Sequence, residues 1–208
     1  MNPHVEPIDS RTRILDAAET LFGDKGIHPT SIRDITAAAG VNLAAVNYHF
    51  GSKEKLLGEV VDRRVIPINL ERIRLLDTAE RAGRPVEIET ILEAFLIPTV
   101  QACSESPSLM KLAGRLVSEP DPILRRIFLS RFEKVAQRFI NALGRSLPSV
   151  EPVALWSCFL FLIGSMVHCW TNRGDLEMLA GKTPDADEAM LHLIRYTAAG
   201  LRGMEESR

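Results

Sequence analysis

Along most of the chain apolar residues recur at spacings of three and four, and they rarely alternate with polar ones. The first such run puts Ile14, Leu15, Ala18, Leu21 and Phe22 on one side of a helix, with Asp9 or Ser10 as its cap and Gly26 as its stop. A short second helix is expected after Thr30, with Ile32 and Ile35 turned inward. Ala39-Gly40-Val41 breaks the pattern, and Asn42 then caps a third helix. A fourth begins at Ser52 and turns Leu56, Leu57, Val60 and Val61 inward until Pro67, which is expected to kink or end it. Another segment, residues 68–81, stops at Gly83-Arg84-Pro85. About five more helices follow, with starts at Pro107, Pro122, Pro152 and Pro184. Ser106, Asp121 and Thr183 stand as caps before three of them. Hairpin turns of the Asn-Gly or Asp-Gly type are absent, and no long repeat recurs, so the chain is predicted to be all-α. Its character changes near residues 52–67, which divides it into an N-terminal unit, 1–52, and a C-terminal helical unit, 53–208.

Composition adds mainly exclusions. With 208 residues, 46% apolar, 25% charged and a net charge of −2, the chain has an ordinary globular make-up and no global attraction for nucleic acid or anionic lipid. Any such partner has to be met by local charge. Three cysteines, Cys103, Cys158 and Cys169, form no C-x-x-C pair and suggest buried thiols in a reducing compartment. The first ten residues lack a basic and then apolar leader, so a cytoplasmic location is expected. The longest apolar run, residues 155–170, is interrupted by Ser157, Gly164, Ser165 and His168. It is shorter than the roughly 18 residues of a membrane span, and we read it as a buried helix. No G-x-S-x-G, H-E-x-x-H or metal-spaced Cys/His cluster occurs, and before Gly181-Lys182-Thr183 the glycine of a phosphate loop is misplaced. The sequence therefore predicts no enzyme, no cofactor and no metal.

The break at Ala39-Gly40-Val41 suits a helix-turn-helix, because glycine relieves the backbone at a sharp turn and Val41 can pack beneath it. On the helix that follows, Val46 and Phe50 face inward, leaving Leu43, Ala44, Asn47 and Tyr48 outside. Small residues allow close approach to base edges, and an asparagine can pair with adenine in the major groove. Tyr48, His49, Ser52 and Lys53 are groups that bind phosphate, and Arg33 can reach the opposite backbone.

Taken together, Thr30-Ser31-Ile32-Arg33-Asp34-Ile35, Ala37-Ala38-Ala39-Gly40-Val41 and Tyr48-His49-Phe50-Gly51-Ser52-Lys53-Glu54 resemble the N-terminal domain of the TetR family over roughly residues 10–58. The resemblance implies an N-terminal three-helix helix-turn-helix DNA-binding domain and a C-terminal helical ligand-binding and dimerisation domain. It implies a homodimeric transcriptional regulator, usually a repressor, that binds a double-stranded operator and senses a small molecule. Carried over by position, the DNA contacts are Thr30, Ser31, Arg33, Asn42, Leu43, Ala44, Ala45, Asn47, Tyr48, His49 and Lys53. Many members carry a lysine where this chain has Leu43, so one basic phosphate contact is missing. Residues 1–58 hold six basic and seven acidic groups, which predicts weak nonspecific binding by one head and useful affinity from two.

The C-terminal region is rich in large apolar groups, and the helix over residues 155–170 is apolar nearly all round. Such a helix needs cover from its own domain and from a partner; with the helix from about Pro184 to Gly203 it is expected to form a four-helix dimer interface. Glu71-Arg72 to Leu76-Asp77, Ile91 to Pro98 and Leu116 to Pro120 are similar to a subgroup that includes the fatty-acid-responsive PsrA type. That similarity implies an apolar effector, a fatty acid or acyl thioester. The expected pocket residues are Phe95, Arg115, Phe132, Trp156, Phe159 and His168, with Arg115 as carboxylate partner or, alternatively, paired with Glu119 one turn along. The competing reading is a helical small-molecule-binding or adaptor protein without a DNA role.

Overall fold

The computed structural model describes residues 9–83 and 85–206; most of the first ten residues read for a leader, and Arg84 of the predicted stop, lie outside them. The described residues form ten helices and no strand. They are α1 (Ser10–Lys25), α2 (Ile32–Ala39), α3 (Leu43–His49), α4 (Lys53–Ala82), α5 (Ile88–Glu105), α6 (Pro107–Val117), α7 (Pro122–Ser146), α8 (Pro152–Thr171), α9 (Arg173–Ala180) and α10 (Ala186–Glu206).

The first and third helices begin where the sequence places their caps, and the second begins after Thr30 as expected. Asp9 accepts from the Arg11 N–H, Ser31 forms a reciprocal capping box with Asp34, and Asn42 accepts from the Ala45 N–H. Their core is Ile14, Leu15, Ala18, Phe22, Ile35, Val46 and Phe50, and it does not stop at residue 52. Leu56, Leu57, Val60 and Val61 of α4 complete it, with Leu112 and Leu116 of α6 and Leu124 of α7. A second core, centred on Phe95 and Phe139, gathers α4, α5, α7, α8 and α10.

Three expectations about helix limits change. Pro67 does not end the fourth helix, which runs thirty residues to Ala82 and absorbs the segment expected at 68–81. Pro67 sits on the exposed side, where the Arg63 carbonyl it leaves unpaired can meet water, while Val61 and Ile68 on the buried side hold both halves in place. Ser106 caps nothing through its side chain; its hydroxyl donates instead to Glu19. The last helix begins two residues after Pro184, capped by Asp185, which accepts from the Glu188 N–H.

The apolar helix of the sequence is α8. It is the one described helix long and apolar enough to cross a bilayer, and it packs on α6, α7 and α10. Leu155, Phe159, Leu162 and Met166 are buried against the body, whereas Val153, Leu160 and Phe161 face outward, and Tyr196 of α10 is exposed as well.

Candidate nucleic-acid interface and inner chamber

Helix α3 is short, and α1, α2 and the start of α4 fix its orientation. Val46 and Phe50 are anchored in the core, so the rest of the helix turns out: Leu43 is 49% exposed, Tyr48 86%, and Ala44 and Asn47 are also open. Gly40 supplies the turn before it in the left-handed region, at φ +61°. Beyond α3, Lys53 donates to the His28 carbonyl at 3.2 Å. Partial burial pulls its pKa below the usual lysine value, against a smaller upward pull from Glu54. The His49 ring lies 3.0 Å from the Ser10 hydroxyl and is half-buried, which turns one ring nitrogen toward α1.

The structure gathers Ser31, Arg33, Asn42, Leu43, Ala44, Asn47 and Tyr48 on the exposed side of the head, with Ala45, His49 and Lys53 half-buried at its margin. Thr30 is a correction. It is fully buried, and its hydroxyl donates to the Leu21 and Gly26 carbonyls, tying the loop between α1 and α2. The hydroxyls of Ser31 and Asn42's side-chain oxygen are engaged as helix caps.

Beside the shared apolar core, buried carboxylates join the head to the body. Glu19, on α1, is 2% exposed and receives Arg63 and Arg64 from α4 and Ser106 and Ser108 from the start of α6. Burial alone would raise its pKa, but the two guanidinium groups and the Ser108 hydroxyl outweigh this and hold it at about 2. Lys111 reaches Asp24 at 2.7 Å, and His28 lies 3.2 Å from Glu119.

Behind that junction is an apolar chamber lined from five helices. Val65, Ile68 and Arg72 come from α4, Phe95, Thr99 and Cys103 from α5, Met110 and Val117 from α6, Phe128 and Phe132 from α7, and Ile163, Met166 and Val167 from α8. Of the predicted pocket residues, Phe95 and Phe132 line it, and Phe159 packs edge-on against Phe95 at 4.7 Å between centroids. The others are elsewhere. Trp156 stacks edge-on behind Phe159; Arg115 and His168 line a separate open cleft of about 920 Å³ between the head and the body. Arg115 donates to the Asp24 carbonyl, so neither a chamber carboxylate nor Glu119 is its partner here.

The cation that does line the chamber is Arg72, which sequence reasoning passed over. Its signal was a lone charge on the inward stripe Ile68, Arg72, Leu76 of α4. Cys103 beside it is buried, and burial raises its pKa to about 11, so its thiol stays protonated. Among the described residues no group of His, Cys, Asp and Glu could hold a metal ion.

Comparison with known proteins agrees with both halves. Residues 14–60 match the pattern described as bacterial regulatory proteins, tetR family, and residues 93–200 match the tetracyclin repressor-like C-terminal domain. The head is 43% identical over 51 residues to the transcriptional repressor KstR2 of Rhodococcus jostii, a match spanning 24% of this chain and 25% of that protein. A longer match, 24% identical over 151 residues, joins 68% of this chain to 70% of the regulator UidR of Escherichia coli. The fatty acid degradation regulator FadR of Bacillus halodurans shares the fold, with a TM-score of 0.72 and 16% identity, over 95% of this chain and 98% of that one. A helix-turn-helix head locked to an all-helical body, with each part matched by its own pattern, makes this chain a member of the TetR family of bacterial regulatory proteins.

Proposed function

We propose that this protein is a ligand-responsive transcriptional regulator, a repressor that binds a pseudopalindromic operator as a homodimer and is released by a small, largely apolar effector. The observation that carries the reading is α3: a helix whose inner side is anchored by Val46 and Phe50 and whose open side presents Leu43, Ala44, Asn47 and Tyr48. Two such heads need to sit about 34 to 36 Å apart to enter successive major grooves. The open apolar face of α8 and α10, with Val153, Leu160, Phe161 and Tyr196, supports pairing of two copies there. In this reading the DNA-binding unit is residues 1–52 and the remainder senses and dimerises. No catalysis is involved, and the protein works in the cytoplasm, where its DNA is.

The chamber is the effector site of this proposal. It is apolar, and the α4 and α6 residues that line it belong to the helices that pack against the head. An effector can shift the equilibrium only by its preference for one head arrangement over the other. The shared fold with a fatty acid degradation regulator supports a fatty acid or acyl thioester as effector class. The test is selection of bound duplexes from a random pool with purified protein. An inverted repeat is the expected outcome. Recovery of nothing by a folded dimer at low salt would instead favour a helical small-molecule-binding or adaptor protein.

A further inference from the structure

Arg72 is 4% exposed, and its three hydrogen bonds all go to neutral acceptors. Nε donates to the Phe95 carbonyl at 2.8 Å, Nη1 to Asn69 Oδ1 at 3.0 Å and Nη2 to Thr99 Oγ1 at 2.6 Å. The Phe95 ring covers its carbon at 3.8 Å and the Phe132 ring at 5.5 Å. Among the described residues no carboxylate lies within salt-bridge distance of it, whereas the half-buried Arg63, Arg64, Arg131 and Arg138 each hold an aspartate or glutamate. Burial lowers its pKa to about 9, so it remains a cation at neutral pH. A guanidinium has five N–H groups, and two of these have no acceptor. A buried cation without a counter-ion is costly unless something supplies one.

We propose that the effector supplies it: Arg72 anchors a free carboxylate on an apolar molecule whose tail lies along Phe128, Phe132, Met110 and Met166. This rests on the chamber being the effector site, and it selects between the two effector classes. A carboxylic acid offers two anionic oxygens that match the guanidinium fork. A thioester offers only a neutral carbonyl, which cannot neutralise the guanidinium. Val117 and Val167 line both the chamber and the open cleft, so the two lie side by side.

The test measures binding of hexanoate, decanoate and phenylacetate, each beside its primary amide, and of decanoyl-coenzyme A, to the full-length protein by calorimetry. At least one acid is expected to bind roughly tenfold or more tighter than its amide. In Arg72→Met, which replaces the cation by an apolar chain of similar reach, that preference should fall to within about twofold. Equal binding of acids and amides to the wild-type protein overturns the proposal, as does tighter binding of the coenzyme A thioester than of decanoate. The wild-type comparison decides the matter even if Arg72→Met fails to fold. If no acid binds but an amide does, the anchor is wrong and the effector site stands; if neither binds, both fall.

Discussion

Glu19 shows how much one side chain can hold. It bridges three helices, and removing its charge leaves Arg64 without a carboxylate and Arg63 with only Asp16. Breaking a buried ion pair from one side costs about 3 kcal/mol. Glu19→Gln should therefore lower the melting temperature clearly, and a shift of less than about 2 °C would show that the pairing contributes little. The pH dependence follows from its depressed pKa. The carboxylate is charged in the unfolded chain above pH 4.5, so its stabilisation is complete there and is lost as pH falls toward about 2. Acid titration of wild type and Glu19→Gln should converge in that window. At the DNA face, Asn47→Ala should relax preference at one base pair by about 1 to 3 kcal/mol, while Lys53→Ala should weaken all sequences and flatten the salt dependence. An unchanged operator preference in Asn47→Ala would mean that α3 does not read bases through it. The caps Asp9 and Asn42 were legible because their partners are two or three residues away. Glu19 was not: its partners lie 44 to 89 residues along the chain, and no local pattern announces them.

Among the elements, α2 and α3 are written almost completely in local signals, since each short helix has its own cap and the turn between them has Gly40. That glycine adopts φ +61° with only the Arg13 side chain near, at 3.6 Å from where a Cβ would stand. Gly40→Ala is thus strained by backbone and not by crowding. It should cost about 1 kcal/mol in a denaturant melt, with Gly40→Asn closer to wild type. The fourth helix was misread because proline is a local veto that tertiary packing can override: Val60, Val61, Ile68 and Leu76 bury the same stripe on both sides of Pro67. The proline therefore sits inside the element that joins chamber to head. Pro67→Ala should change effector response more than ligand-free DNA affinity, and equal losses of both in a titration of labelled operator would refute a role in coupling. The pocket was only half legible for a related reason. The sequence identifies apolar helices but not their facing partners, so Phe95, Phe132 and Phe159 came together while Arg115, Trp156 and His168 did not.

For the whole molecule, the apolar surplus of α8 was visible in the sequence, and its two sides now differ: one fills the body, the other is open. Phe161→Asp, a charge placed in the middle of that open side at a residue 65% exposed, should leave the protomer folded and make it monomeric by sedimentation. Affinity for an inverted repeat should fall more than a hundredfold, since two linked heads become one. A dimer that persists would place the interface elsewhere.

In the proposed reading the unbroken α4 serves as a lever. Arg72 and Lys53 stand nineteen residues apart on one rod, a distance of roughly 28 Å. A tilt of about 5° at the chamber end then displaces the far end by roughly 2.5 Å. Two heads swung in opposite directions separate by roughly 5 Å, more than the rise of about 3.4 Å from one base pair to the next. In that reading a tilt of this size is enough to put both reading helices out of register with their operator.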